Sequence, residues 1–416
     1  MSTTFEMPSA PPPAYRDRKR PAWLMSVFMP VTATLGPVLT LATGQWAWLW
    51  LPLALNYLGI ALMDALLGED LSNPPEHEVP RLEAERYYQW VTWATLPVLW
   101  ATMLFCVWFV ARHELPWHGW LAMVLVGGAV GGYAINLAHE LGHKRSAGER
   151  WLAKLALAPY GYGHFTIEHN RGHHRDVATP ADPASSRMGE SIWRFALREL
   201  PGTARRAWVL ERKRLEVDGF ALWSWRNQIL QPAAVTLLLW AALALWLGVG
   251  VLPYVLASSV WAWFQLTSAN YVEHYGLLRQ TDARGKPETC KPHHSWNSNH
   301  VFSNWVLFHL QRHSDHHAHP LRRYQSLRDF PDLPRLPSGY FGMFLLAYVP
   351  PLWFAVMNPR LLATVGHDAS RINFCPRQRE ALMARYGLIP FPNQSGLGAK
   401  PKTVLEHGEA KQQRHD

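Results

Sequence analysis

Cysteine is nearly missing from this chain of 416 residues: Cys106, Cys290 and Cys375 share no close spacing. They can build no disulfide framework, zinc ribbon, iron–sulfur run or Cys-x-x-Cys-His haem attachment. Any metal must therefore rest on His and carboxylate. Charge is also sparse, at 17% Asp, Glu, Lys and Arg, and it leans to one sign, with a formal net charge of +9. In a chain with long apolar runs, that excess fits basic residues held on the cytoplasmic side of a membrane better than nucleic-acid binding. Steering of an acidic partner protein is a second use for it. A cleavable signal peptide is lacking too. Residues 1–20 are polar, Pro-rich and basic at Arg16-Asp-Arg-Lys-Arg20, and the apolar stretch after them is too long and lacks a small-residue cleavage site. No internal repeat is visible beyond three hairpins.

Tryptophan, at 22 residues, and long apolar runs are what the chain has in plenty. Six segments read as spanning helices: Trp23–Ala42, Trp46–Leu67, Gln89–Ala111, Trp117–Ala138, Ile229–Val249 and Leu252–Val272. Each has about 20 residues, which at a rise of about 1.5 Å crosses a hydrocarbon core of about 30 Å. Trp46, Trp48, Trp50, Trp117 and Trp120 sit near predicted ends, where indole prefers the interface. The expected fold is an all-α membrane protein, with six transmembrane helices in three hairpins and a cytoplasmic helical cap. Its divisions are a cytoplasmic N-terminal tail (1–20), helices 1–4 (21–138), a cytoplasmic His-box region (139–228), helices 5–6 (229–273), a cytoplasmic His-box and cap region (274–399) and a disordered tail (400–416). The basic Arg16–Arg20 keeps the N-terminus in the cytoplasm, and an even number of spans returns the C-terminus there. The run Phe341–Met357, interrupted by Pro350-Pro351, reads as an interfacial or re-entrant piece. Asp64, an acid inside an apolar run, is costly in lipid; it is expected near the cytoplasmic end of its helix, reaching water.

Against this background histidines cluster. His139 and His143 stand at i and i+4, as do His169 and His173 and again His313 and His317, so each pair is expected to share a helix face. His174 and His316 lie beside these pairs, and His274 stands alone at the foot of the sixth span. Two helices far apart in sequence thus deliver His139 and His274 to one membrane depth. Nine clustered imidazoles exceed what one metal can use, so two metals are expected, with Fe, Cu and Zn left open by residue type. Each cluster has a carboxylate next to a His: Glu140, Glu168, Glu273 and Asp315. These can accept the outer N–H of a ligand His and fix its tautomer, or merely pair with Arg171, Arg312 or Arg322. His164, His293, His294, His300, His309 and His319 fall outside the spacings and read as ordinary surface histidines.

A rival reading is local. His139-Glu-Leu-Gly-His143 matches H-E-x-x-H, in which Glu140 would be the general base of an intramembrane zinc protease. Such a site needs one further ligand and leaves most of the clustered histidines unemployed. A metal transporter fits less well, since the clusters lie at the membrane edge and not its midplane.

With its motifs set out, the chain resembles the integral-membrane alkane 1-monooxygenases, non-haem di-iron hydroxylases of the membrane fatty acid desaturase and hydroxylase superfamily. The motifs are His139-Glu-Leu-Gly-His-Lys144, Glu168-His-Asn-Arg-Gly-His-His174, Asn270-Tyr-Val-Glu-His-Tyr-Gly276 and Leu310-Gln-Arg-His-Ser-Asp-His-His-Ala318. The three His boxes are shared across the superfamily; the Asn-Tyr-x-Glu-His-Tyr-Gly piece separates alkane hydroxylases from desaturases. The similarity runs from about Trp23 to Leu362. It implies a bacterial inner-membrane enzyme with two Fe ions held by His. It also implies terminal hydroxylation of medium- to long-chain n-alkanes with O2. The two electrons would come from NAD(P)H through a rubredoxin reductase and an acidic rubredoxin. Lacking paired cysteines, this chain carries no rubredoxin in itself, so the donor is a separate chain or a further segment. No side chain beyond the metal ligands is expected to be catalytic, and no nucleic acid is involved. Fatty-acyl desaturation and hydroxylation of an aromatic methyl remain alternatives within the superfamily.

Overall fold

The computed structural model describes residues 15–388. The expected tail at 400–416, and all but the last few residues of the N-terminal tail, lie outside them. Among the described residues, regular structure is helical, and strand pairing is limited to isolated bridges such as Glu69 with His300. Six helical stretches are long and apolar enough to cross a membrane: Arg20–Thr43, Trp46–Leu67, Arg86–Arg112, Trp117–Gly142, Leu230–Leu247 and Val249–His274. They match the six expected spans to within a few residues. The main difference is at the ends of the fourth and sixth, which continue through Gly142 and His274. His139 and His274 therefore sit in the last turns of continuous helices, and their positions are fixed by the spans.

The fourth span is the most enclosed, with 78% of its most apolar window buried against 44% or less in the others. Its packing against the sixth span is the most extensive in the molecule. Four glycines on the fourth span make this approach possible. Gly127 faces Tyr254 and Ser258, Gly128 faces Trp261, Gly131 faces Ala262, and Gly132 faces Gln265. A Cβ at Gly127 would stand 3.1 Å from Ser258 Cβ, and one at Gly132 2.9 Å from Gln265 Cβ. Lipid gives helices no hydrophobic reason to associate, so small residues that permit close backbone contact do this work. The close approach sets the feet of the two helices side by side.

The apolar run near residue 341 forms two helices, Tyr340–Ala347 and Pro350–Thr364, bent by 119° at the break. Proline at the start of the second helix favours the break, because it cannot continue the first helix's hydrogen bonding. The sharp bend departs from one straight span, and such a bent pair is either a re-entrant loop or a broken span. Asp64 departs from expectation. It does not reach water but is fully buried, and its Oδ1 accepts from the backbone N–H of Ser303 at 2.8 Å, while Oδ2 accepts from the Ser303 hydroxyl. It anchors the short helix Val301–Val306 to the second span.

Candidate metal centre

All nine clustered histidines converge, in two groups. His139, His143, His169, His174 and His316 form one, and His173, His274, His313 and His317 the other; within each, one ring nitrogen per residue lies within 4.8 Å of all the rest. The groups adjoin, with the ring centroids of His174 and His317 4.4 Å apart. All but His174 are buried.

The division cuts across one pair. His169 and His173 share a face as expected, with rings stacked 5.2 Å apart, yet belong to different groups, because residues His169–His173 form a π-helical turn. A π turn is wider than an α turn, so i and i+5 align there. Accordingly His174 Nε2 lies 3.1 Å from His169 Nε2, and His173 turns to the second group. The α-helical pairs do behave as their spacing predicts: His139 with His143, and His313 with His317.

The donor set fits metal ions. His313 Nε2 lies 2.9 Å from His317 Nε2 and 3.3 Å from His274 Nε2, and His316 Nε2 lies 3.2 Å from His174 Nε2. One nitrogen cannot satisfy two facing lone pairs with one proton, so hydrogen bonding alone leaves buried atoms unmet. The Nε2 atoms of His139, His143 and His173 are buried without any partner. Burial, and then the crowding of neighbouring imidazoles, pushes His143, His169, His174, His313, His316 and His317 well below the usual histidine range. Neutral imidazole is the form that binds metal.

Three of the four carboxylates adjacent to the clusters point elsewhere, as an offset of about 100° per residue on a helix dictates. Glu140 pairs with Lys144 at 2.9 Å, and Asp315 with Arg322 at 2.9 Å. Glu168 pairs with Arg206. Of the Arg pairings expected for these four carboxylates, this leaves only Asp315–Arg322. Glu273 comes nearest the centre, with Oε2 3.4 Å from His313 Nε2, while its Oε1 accepts from Tyr340 Oη at 2.9 Å. Glu140, held by a buried lysine beside five imidazoles, is not free to act as the base of a protease.

The acceptor that sequence reading missed is Asp182. Its Oδ2 lies 2.9 Å from His173 Nδ1 and accepts from Ser185 Oγ at 2.7 Å. Its Oδ1 accepts from Arg206 Nη2 at 2.7 Å. Burial alone lowers a histidine, but the Asp182 carboxylate outweighs it and raises His173, while Asp182 itself is driven low despite its burial. The only sequence sign was an acid in a Pro-flanked loop nine residues beyond a ligand candidate. Glu199 was also missed: buried in the cap helix Ile192–Val217, it accepts from Thr267 Oγ1 at 2.7 Å and Asn270 Nδ2 at 3.2 Å. Burial raises it to about 7, and its bonds fasten the cap to the sixth span. Gly276, which closes the Asn270–Gly276 motif, has φ of +74° and packs on Leu361, so a side chain there is excluded twice.

A third group, Glu288, His293 and His294, is chemically unlike these. His294 Nδ1 accepts from the Lys291 backbone N–H at 2.9 Å, so in the neutral ring Nε2 carries the proton and faces Glu288 Oε1 at 3.3 Å. That leaves no lone pair for a metal. The other histidines outside the spacings are not all on the surface: His309 is buried, with Nδ1 3.0 Å from the Tyr324 carbonyl.

An apolar cavity descends to the centre through the membrane region. Ala129, Gly132 and Tyr133 of the fourth span, Tyr57 of the second, Ala269 of the sixth and Phe341 of the bent pair are among its walls; His139, His169, His313 and Glu273 line its inner end.

A multi-pass helical protein with this buried imidazole assembly defines a membrane metalloenzyme. The chain belongs to the fatty acid desaturase family, whose sequence profile matches residues 114–347. Among its relatives, alkane 1-monooxygenase 1 of Alcanivorax borkumensis is 51% identical over 374 residues, covering 90% of this chain and 93% of that protein. The alkane 1-monooxygenase of Ectopseudomonas oleovorans is 50% identical over 387 residues, covering 93% and 96%. More distant is the hydroxylase component of a Pseudomonas putida xylene/toluene monooxygenase, 28% identical over 362 residues, covering 86% and 92%. Like these relatives, the chain is an oxidoreductase of the membrane.

Proposed function

We propose that this protein hydroxylates the terminal methyl of medium- to long-chain n-alkanes at a two-iron centre held by the nine histidines. The observation that carries the reading is an apolar cavity ending on His139, His169 and His313. The balance is alkane plus O2, two electrons and two protons giving primary alcohol and water. Bound iron would supply the activation of O2; the chain does the rest.

An n-alkane has no polar handle, so the cavity must select by shape and dryness. Two pairs of its polar residues are tied to one another: Tyr57 Oη donates to Gln265 Oε1 at 2.5 Å and Tyr133 Oη to Asn56 Oδ1. What faces the ligand is then largely ring and aliphatic surface, which excludes water from the reacting methyl. On the fourth span Ala129 lies ten residues from His139, a rise of about 15 Å, so the chain would lie along the helix with its end at the histidines.

Electrons are taken from a rubredoxin, itself served by an NAD(P)H-dependent reductase. His174, the one cluster member that is only partly buried, is the exposed edge at which they would arrive. The basic N-terminal stretch packs beside the third His box, with Lys19 on Asp70, whose backbone carbonyl accepts from Arg312, and Arg20 on Glu85. This supports placing the N-terminal stretch on the side of the cap; with six spans the C-terminus returns to that side, read as the cytoplasmic side of a bacterial inner membrane.

The test is direct. Octane or dodecane, supplied with rubredoxin, reductase and NADH, is expected to yield the 1-alkanol by gas chromatography, and purified protein to hold close to two Fe per chain. No alcohol, with an acyl or methylarene substrate consumed instead, would move the protein to another reaction of its family; a single Zn would remove the di-iron centre. Asp182→Asn keeps the size of the side chain but not its charge. It is expected to weaken iron retention by about 10- to 100-fold, the usual effect of losing a partner behind a ligand. The readout is iron left after dialysis against a chelator.

A further inference from the structure

On the outer side of the second His box, a strongly basic recess has no assigned occupant. It is a cavity of about 580 Å³ lined by Arg150, Lys154, Arg171, Arg214 and Arg226, with Trp151 as an aromatic wall. Two nearby acids are already engaged. Glu211 pairs with Arg214 at 2.6 Å and with Arg171 at 3.3 Å, and Asp218 pairs with Arg214 at 2.8 Å. Three cations are left without a carboxylate. Arg150 donates to the backbone carbonyls of Lys144 and Arg145. Lys154 Nζ donates to Gln231 Oε1 at 2.6 Å, and the Arg226 guanidinium lies 4.9 Å over the Phe220 ring. Five cations against two acids leave the recess with an excess of three positive charges.

Its location says what anion it meets. Gly142 ends the fourth span and Gln228 and Gln231 stand at the start of the fifth, so the recess opens between two helix feet at the membrane edge. Trp223 and Trp225 beside it are 75% and 64% exposed, and Trp151 stacks on Trp225. Exposed indoles at a helix foot mark the level of lipid headgroups. Arginines bind phosphate oxygens strongly through charge-assisted bonds.

We propose that this recess binds the phosphate of an anionic membrane lipid. The headgroup enters among Arg150, Lys154 and Arg226, and the glycerol and first methylenes lie on the tryptophan wall. Burial, and then the nearness of Arg150, lowers Lys154, a crowding that a phosphate would relieve. Asn170 lines the same recess and donates to the Gly142 carbonyl at 2.9 Å. A lipid here would therefore lie against the hydrogen bond that joins the π turn of the second His box to the fourth span.

Native mass spectrometry of the full-length protein in detergent tests this, with phosphatidylglycerol, phosphatidylcholine and inorganic phosphate as the three probes. Phosphatidylglycerol is expected to be retained over phosphatidylcholine. The double variant Lys154→Gln, Arg226→Gln should bind it about 25-fold more weakly, at about fivefold per basic residue near an anionic surface. Metal content unchanged from the parent shows that the variant is folded; if it is not, Arg226→Gln alone carries the test, with about a fivefold loss expected. Equal retention of phosphatidylglycerol by parent and folded variant overturns the proposal. So does inorganic phosphate binding as tightly as the lipid, which would make this a free-anion site. A variant that keeps its lipid but loses affinity for an acidic electron-donor protein overturns it also, and reassigns the recess to protein docking.

Discussion

His274→Ala is expected to abolish alkane oxidation and to lose iron from the four-membered group, while the spans stay assembled. The imidazole it removes stands in the last turn of the sixth span and faces His313 across 3.3 Å. Losing even a partner behind a metal ligand costs about 10- to 100-fold, so losing a ligand from a group of four should cost at least about 100-fold in turnover. Assembly should survive because the contact between the fourth and sixth spans lies higher, at Gly127 to Gly132. Two measurements check this: iron per chain, expected to drop well below two, and thermal unfolding, expected to shift modestly. Full activity in the variant would remove His274 from the centre and would sink the reading of the Asn270–Gly276 motif as a ligand source.

Ala129→Phe is expected to change which alkane is accepted, not whether oxidation occurs. Ala129 lines the cavity about 15 Å along the fourth span from His139, and it is largely buried. A phenyl ring there occupies the distal end and leaves the histidines untouched. Each methylene that no longer fits in an apolar pocket is worth about 10- to 200-fold in kcat/KM. The longest accepted chain should therefore lose at least about tenfold, while a shorter chain that ends below Ala129 should change by less than about threefold. Competition between two chain lengths in one reaction, read as the ratio of alcohols, checks this without depending on enzyme concentration. An unchanged ratio would show that the alkane does not lie along the fourth span.

How much of this the sequence revealed follows from which interactions are local. Runs of about 20 apolar residues announce spanning helices whatever surrounds them, so the six spans were legible nearly to their ends. The nine histidines were legible because i, i+4 spacing and a position at a helix foot are both chain-local signals. Their division was not. Whether residues 169–173 wind as α or π depends on packing, and that choice decides which histidine meets which. Asp182 escaped for a similar reason: a loop must fold back before its carboxylate finds His173. Asp64 looked like an acid near water because its partner, Ser303, lies 239 residues away. The glycines of the fourth span were plain to see, but their use became clear only with the sixth span against them.

The π turn also bears on how the centre fills. One short stretch gives His169 and His174 to one group and His173 to the other, and a single guanidinium, Arg206, grips Glu168 and Asp182 together. Neither group can be completed while the other's share of that stretch is misplaced. Filling one group would order the stretch that supplies the other, so metal loading is expected to be coupled and the half-loaded form to be the least populated in a titration followed by native mass spectrometry.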